Sequence, residues 1–198
     1  MDRTLDVFTF ELASKTPTPG GGGAAALCAA LAAALGSMTA NFTLGKKKYA
    51  EYDDEMRAII SECAILRSRT LLLIKADAEA FEPLSRAYAI PKDDPGREAE
   101  LEKRLLDAAA VPMEIARLSH RIMELADILE RHGSELMVSD AGCAAAIASA
   151  AIDSAALNVL VNTRLMKNRE KAAEINAEVC KLLENKPQTY SRVLQRLS

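Results

Sequence analysis

The sequence has 198 residues, of which 49% are hydrophobic, 27% charged and 4% aromatic, and its formal net charge is −3. This length suits one domain, the hydrophobic fraction excludes a disordered chain, and the negative charge argues against general nucleic-acid binding. Alanine and leucine dominate while tryptophan is absent, so we expect a single all-α domain over residues 1–198.

Apolar residues recur at three- and four-residue spacing along most of the chain, which predicts a succession of helices. The predicted helices cover residues 4–13, 22–42, 49–89, 97–131, 141–162 and 169–184. Pro112 is expected to kink the fourth of them, and Gly133 to cap its C-terminus. The tail YSRVLQRLS adds a short docking turn. The sequence therefore predicts an up-and-down bundle of about six long helices.

The glycines Gly20, Gly21, Gly22 and Gly23 form the first motif, within TPTPGGGGAAAL. They do not match a phosphate-binding loop, because they follow no strand and no Lys-Ser or Lys-Thr comes after them. One interpretation is a flexible turn between helices. The other is that backbone without side chains, stiffened by two upstream prolines, lets a ligand meet free N–H groups at a helix start. The sequence leaves both open.

A carboxylate, Asp77, interrupts the apolar stripe of the predicted third helix. A carboxylate on a core-facing stripe must be paired, hydrogen-bonded or raised in pKa. Asp77 is therefore either a catalytic acid and base or a buried group that bonds to a neighbouring helix.

Other polar residues stand at the ends of the alanine-rich helices. Asn158 and Asn162 continue a ridge of small residues formed by Ala144, Ala148, Ala151 and Ala155. The two asparagines serve either hydrogen bonding within the protein or ligand contact. Ser139 or Asp140 is positioned to cap the first turn of the same helix. The three cations Lys46, Lys47 and Lys48 form either a solvated helix terminus or an attraction for an anionic substrate.

No metal or redox site is expected. The four cysteines are widely spaced without a C-x-x-C pair, and we interpret the two histidines, His120 and His132, as structural. The N-terminal MDRTLDVF has no basic region followed by an apolar core, so no signal peptide is predicted. The apolar run 24–35 is too short to span a membrane, and the run 141–162 contains Asp153. We expect a cytoplasmic protein without a membrane partner.

Six motifs, TPTPGGG, GKKKY, DAEAF, VPMEIA, SDAG and NVLVN, occur in this order between residues 8 and 168. Together they resemble the cyclodeaminase/cyclohydrolase family of folate enzymes. The resemblance implies a helical bundle that forms a homodimer, with the glycine-rich loop lining an active site near the subunit interface. It also implies that Asp77 of DAEAF is the catalytic aspartate. Lys75 departs from members that carry an acidic residue there, which bears on subtype.

The resemblance implies a tetrahydrofolate derivative as substrate and no permanently bound cofactor. Hydrolysis of 5,10-methenyltetrahydrofolate is the leading hypothesis, because the sequence has no formiminotransferase domain and its TPTPGGGGAAAL is similar to stand-alone bacterial members. Formiminotetrahydrofolate cyclodeamination is the alternative, and a non-catalytic dimeric helical binding module is the third. The candidate substrate-binding residues are Gly20, Gly21, Gly22, Gly23, Lys46, Lys47, Lys48, Ser139, Asp140, Asn158 and Asn162.

Overall fold

The computed structural model describes residues 4–198, so the first three residues of the expected domain and N-terminal segment lie outside it. The helices are α1 (Leu5–Leu12), α2 (Gly21–Thr43), α3 (Asp53–Tyr88), α4 (Arg97–His132), α5 (Val138–Leu165), α6 (Arg169–Glu184) and α7 (Thr189–Leu197). Two 3-10 turns, Lys47–Tyr52 and Glu135–Met137, precede α3 and α5. Residues 4–198 contain no strand, which confirms the all-α prediction.

The four long helices α2 to α5 run up and down. Gly22 faces Asp77 and Gly36 faces Cys63, so α2 and α3 are antiparallel. Glu62 pairs with Arg121 and Arg69 with Glu114, so α3 and α4 are also antiparallel. Only residues 133–137 join α4 to α5, which packs back against it. The predicted topology is confirmed, with four long helices and three shorter ones in place of about six long ones.

Alanine-rich α2 and α5 pack against each other inside the bundle. The ridge predicted on α5 is fully buried at Ala144, Ala148, Ala151 and Ala155. Small side chains allow the two helices to approach closely, and the bulk of the core comes from large residues on α3 and α4 such as Ile59 and Leu125. This packing leaves little room for added volume beside the two helices.

Two predicted helix starts are wrong. Ser139 and Asp140 do not cap α5, because the helix begins at Val138 with Met137 as its N-cap residue. The chain enters α5 directly from a 3-10 turn, so both residues lie inside the first helical turn. The third helix begins later than predicted, since Tyr49 has non-helical backbone angles (φ −118°, ψ 15°) within the turn before α3.

The C-terminal tail is more than a docking turn. It forms the nine-residue α7, whose Val193 packs against Gly142 of α5. Thr189 Oγ1 donates a hydrogen bond of 2.8 Å to Asp127 Oδ1 of α4. The tail therefore closes one side of the bundle.

The fourth helix continues through Pro112 to His132 as one element, and Gly133 caps it as predicted. The Gly133 N–H donates to the Leu129 carbonyl at 2.9 Å. By length and composition alone, Gly21–Thr43 and Glu135–Leu165 could each cross a membrane, but core helices of soluble proteins pass the same test. Of the most apolar stretch of Gly21–Thr43, 56% is buried in the bundle, so its apolar side chains form part of the protein core.

Candidate active site

The glycine-rich segment forms the start of α2. Gly20 is the N-cap residue and Gly21 the first helical residue, so the N-cap position has no side chain to accept a hydrogen bond from the first turn. The first amides of a helix have no intrahelical acceptor, and Ser, Thr, Asp or Asn commonly provides one. The start of α2 therefore lacks the usual local cap, and among its first amides the N–H of Gly23 faces the Asp77 carboxyl of α3.

Gly22 brings the backbone of α2 against Asp77 of α3. A Cβ atom at Gly22 would lie 2.1 Å from Asp77 Oδ1, closer than any real contact allows. Glycine is required at this position because of the close approach of the carboxylate. This contact fixes Asp77 beside the glycine-rich loop.

Asp77 is half-buried, and its surroundings favour the protonated form. Burial raises the pKa of the Asp77 carboxyl above its ordinary value, while the nearby backbone N–H of Gly23 partly offsets that effect by stabilising the charge. A carboxyl whose pKa is moved toward neutrality exchanges protons more effectively at physiological pH than an ordinary aspartate. The geometry thus suits general acid and base chemistry.

Two asparagines of α5 lie on the other side of the loop. Asn158 Nδ2 donates to the Ser154 carbonyl at 2.8 Å, and a Cβ atom at Gly21 would lie 2.9 Å from the same Nδ2. Asn162 Nδ2 donates to the Asn158 carbonyl at 2.9 Å. These bonds hold both amide groups in fixed orientations and leave their Oδ1 atoms available as acceptors.

Asn162 also bonds across to α4, where its Nδ2 lies 3.2 Å from the Ala108 carbonyl oxygen. In a regular helix the N–H of residue 112 would donate to that carbonyl, but Pro112 has no N–H. The asparagine therefore supplies the donor that the proline removes.

These groups surround one cavity of about 200 Å³. Its lining residues are Pro17, Thr18, Gly20, Gly21, Asp77, Phe81, Ala108, Pro112, Asn158, Val161 and Asn162. Polar groups stand on two sides and apolar side chains on the others, which is typical of a small-molecule site.

The structure brings some predicted site residues together and separates others. Gly20, Gly21, Asp77, Asn158 and Asn162 all line the cavity, and Gly22 contacts Asp77. Gly23 is buried, and a Cβ atom there would meet Pro19 at 3.5 Å.

The remaining predicted residues lie at the other end of the bundle. Lys46, Lys47 and Lys48 follow the far end of α2, about 34 Å from its start at 1.5 Å per residue. Lys46 Nζ donates to Ser134 Oγ at 2.9 Å. Ser139 and Asp140 lie in the first turn of α5, whereas the two asparagines lie near its C-terminal end. Within one chain neither group reaches the cavity, and their roles in substrate binding remain predictions.

The sequence did not predict that Phe81 lines the cavity. It also did not predict that Asn162 donates to the Ala108 carbonyl in place of the N–H that Pro112 lacks. Phe81 follows Asp77 by four residues, which places both side chains on one face of α3. That spacing is enough to predict that Phe81 lies beside Asp77. No spacing in the sequence predicts the pairing of Pro112 with Asn162, because it depends on the register between α4 and α5.

Residues 4–198 contain no group of three or more His, Cys, Asp or Glu side chains arranged to hold a metal ion. The four cysteines are free thiols. The polar side chains that line the cavity are those of Thr18, Asp77, Asn158 and Asn162.

The sequence model of the formiminotransferase-cyclodeaminase family matches residues 4–181, which is most of the chain. The protein belongs to the formiminotransferase-cyclodeaminase family. The resemblance that the six motifs indicated is thereby confirmed.

Members of this family with the same extent include a methenyltetrahydrofolate cyclohydrolase of Methylorubrum extorquens. It is 39% identical over 177 residues, which are 87% of this chain and 85% of the relative. The formimidoyltransferase-cyclodeaminase of Sus scrofa is 30% identical over all of this chain, which spans 37% of that longer protein.

A crystal structure of the family has the same fold. The formiminotetrahydrofolate cyclodeaminase of Thermotoga maritima matches 99% of this chain and 98% of its own, with a TM-score of 0.88 and 31% identity. The helical bundle described above is therefore the fold of a family of folate enzymes.

Proposed function

We propose that this chain hydrolyses 5,10-methenyltetrahydrofolate to 10-formyltetrahydrofolate. The observation that carries the proposal is the half-buried carboxyl of Asp77, which lines a cavity against the glycine-rich loop. The relative named methenyltetrahydrofolate cyclohydrolase supports this choice of reaction. The substrate is a tetrahydrofolate derivative, and no permanently bound cofactor is required.

The flat pterin lies against the backbone of Gly20 and Gly21, where side chains take no space. The N–H groups at the start of α2 bind one polar edge of the substrate. The Oδ1 atoms of Asn158 and Asn162 accept hydrogen bonds from the substrate, because their Nδ2 atoms are already engaged with backbone carbonyls.

Asp77 acts first as a base and then as an acid. Its carboxylate takes a proton from the water molecule whose oxygen attacks the cationic methenyl carbon between N5 and N10. In the resulting adduct the bond from carbon to N5 breaks, and Asp77 returns its proton to N5. The hydroxyl proton leaves to solvent as the carbonyl forms. The formyl group remains on N10, and one proton is released overall.

Cyclodeamination is the second candidate, because the Thermotoga relative is named a formiminotetrahydrofolate cyclodeaminase. In that reaction N10 attacks the formimino carbon on N5 and ammonia leaves. The formimino group enters protonated, so its positive charge passes to the methenyl product, and Asp77 would take the proton from N10 and give it to the departing amine. The same cavity therefore accommodates either reaction.

We further propose that the protein works as a cytoplasmic homodimer. The outward side of α2 supports a second copy as its cover, since Leu31 and Phe42 on it are exposed by 45% and 56%. Exposed apolar side chains along one helix favour a protein interface.

The decisive experiment offers 5,10-methenyltetrahydrofolate and 5-formiminotetrahydrofolate separately and follows the absorbance of the methenyl chromophore. A cyclohydrolase removes the chromophore faster than the solution without enzyme does, whereas a cyclodeaminase generates it from the formimino substrate. Binding of either folate without turnover would instead favour the non-catalytic dimeric module. Absence of both turnover and binding would overturn the proposal.

A further inference from the structure

A second depression adjoins the Asp77 cavity. It has a volume of about 310 Å³ and shares Pro17, Thr18 and Phe81 with that cavity. The rest of its wall is one face of α3, which includes Lys75 and Arg86. Because three residues line both spaces, the two spaces adjoin at Phe81.

We propose that this groove is the subsite for the aminobenzoyl-glutamate part of the folate, with Phe81 against its ring and Arg86 on a glutamate carboxylate. The proposal rests on the proposed function, because it takes the reacting carbon to lie beside Asp77. It adds the residues that distinguish a complete folate from a simple pterin.

The order of groups along α3 matches the order of groups along the substrate. In a folate the reacting carbon is followed by the aminobenzoyl ring and then by the glutamate. Phe81 stands one helical turn after Asp77, at the junction of the two spaces. Arg86 stands nine residues after Asp77, about 14 Å along the helix at 1.5 Å per residue. An aromatic ring at the junction offers stacking to the benzoyl ring.

The cations of the groove are available to a ligand. Arg86 Nη1 lies 2.8 Å from Glu82 Oε1 and Lys75 Nζ lies 3.1 Å from Glu79 Oε1, each pair one helical turn apart. All four side chains are well exposed, and such pairs contribute little to stability. A substrate carboxylate therefore displaces the pairing of Arg86 at small cost. The planar guanidinium also matches a carboxylate with two parallel hydrogen bonds.

Glu82 competes with the substrate for Arg86 in this arrangement. Removing its charge frees the guanidinium and lowers repulsion toward the incoming carboxylate. The groove therefore predicts opposite effects on substrate affinity for neutralisation at positions 82 and 86. A purely structural pair would respond to both changes in the same way.

The test measures inhibition of methenyltetrahydrofolate hydrolysis by p-aminobenzoylglutamate, which contains the aminobenzoyl ring and the glutamate but no pterin. We expect competitive inhibition of the parent protein. Arg86→Gln raises both the inhibition constant and KM about tenfold, the effect of losing a charge-assisted hydrogen bond, while kcat changes little. Glu82→Gln lowers both constants, and Phe81→Leu raises both while keeping an apolar side chain of similar size.

The matched control is Arg57→Gln. Arg57 is another exposed arginine of α3, paired with Asp53 one turn away, and it does not line either space. We expect its constants to equal those of the parent. If the parent turns over the folate but Arg86→Gln behaves like Arg57→Gln, the subsite is wrong and the proposed function stands. If the parent turns over neither folate, the proposed function fails and this inference fails with it.

Discussion

Gly22 and Asp77 are in direct contact across the antiparallel pair α2 and α3. No atom larger than hydrogen fits on the Gly22 Cα, because a Cβ there would lie 2.1 Å from the carboxylate oxygen. The glycine therefore sets the position of the carboxyl that we propose as the catalytic group.

Gly22→Ala is expected to displace Asp77 and to lower kcat by about 100-fold, since a shift near 1 Å at a reacting group has effects of that size. The helical content measured by circular dichroism should remain. Gly96→Ala is the control, because a Cβ there contacts only the Asp94 side chain at 3.2 Å. Full activity of Gly22→Ala would show that the contact does not position the carboxyl for catalysis.

Asp77→Asn keeps the size of the side chain and removes proton transfer. We expect turnover of methenyltetrahydrofolate to fall by ~10²–10⁴-fold, the usual contribution of general acid and base catalysis. Asp54→Asn is the matched control, because Asp54 lies on the same helix with its side chain fully exposed. Equal rates for the parent and Asp77→Asn would exclude Asp77 from the mechanism.

The same variant is expected to be more stable than the parent at neutral pH. Burial raises the pKa of Asp77 in the folded protein, so the folded state binds this proton more tightly than the unfolded chain does. Protonated Asp77 therefore adds to the free energy of unfolding of the parent. This contribution is fully present below the pKa of Asp77 in the unfolded chain and is lost as the pH rises through its pKa in the folded protein.

Urea unfolding of both proteins across pH measures this effect. The stability advantage of Asp77→Asn should be largest near pH 7, shrink as the pH falls through the raised folded pKa of Asp77, and reach its minimum below about pH 4, where the folded and the unfolded parent are both protonated. An advantage that grows on acidification would contradict the sign assigned here.

Asn162→Ala is expected to leave the Ala108 carbonyl without a donor, because Pro112 has no N–H. Ala108 is buried, so the free energy of unfolding should fall by about 1–3 kcal/mol. In a Pro112→Ala background the helix supplies its own N–H, and Asn162→Ala should then be less harmful. Urea unfolding of the four proteins gives the coupling between the two positions. Additive effects would refute the pairing.

Asn41→Ala is the comparison for that cycle. Asn41 Nδ2 also donates to a backbone carbonyl, that of Ser37 at 2.8 Å, but on the exposed side of α2. Its loss should change the free energy of unfolding by less than about 0.5 kcal/mol.

Variants of the three lysines after α2, Lys46 to Lys48, test the proposed homodimer. At about 34 Å from the start of α2 they lie far beyond the screening length of about 8 Å at physiological salt, so they act little on the site of their own chain. If they attract the tail of a polyglutamylated substrate, one of the two roles that the sequence leaves open, they do so at the site of a partner subunit. Lys47→Gln/Lys48→Gln should then raise KM and flatten its dependence on salt.

Mixing this double variant with Asp77→Asn distinguishes lysines that serve the site of a partner subunit from lysines that do not. A mixed dimer carries one complete site, so random pairing restores about a quarter of the parent activity at low substrate. Activity equal to the average of the two unmixed variants would show that the lysines do not serve a partner's site. Light scattering measures whether the proteins are dimers, as this test requires.

The sequence by itself determined the helical class, the buried faces and the unusual position of Asp77. Three- and four-residue spacing assigns a face of a helix whatever the helix packs against, so a carboxylate within an apolar stripe is recognisable before any fold is known. Local signals are weaker at helix starts. The sequence predicts Ser139 or Asp140 as the cap of α5, but a 3-10 turn leads directly into that helix.

Only the tertiary structure decided which helix ends meet. Residue spacing within α2 and α5 is silent on whether the asparagines or Ser139 join the glycine-rich loop. The antiparallel register of α2, α3 and α5 brings Gly21, Asp77 and Asn158 to one cavity and leaves Lys46 at the opposite end. That register is set by the close packing of small and large side chains between helices far apart in sequence, and no local pattern encodes it.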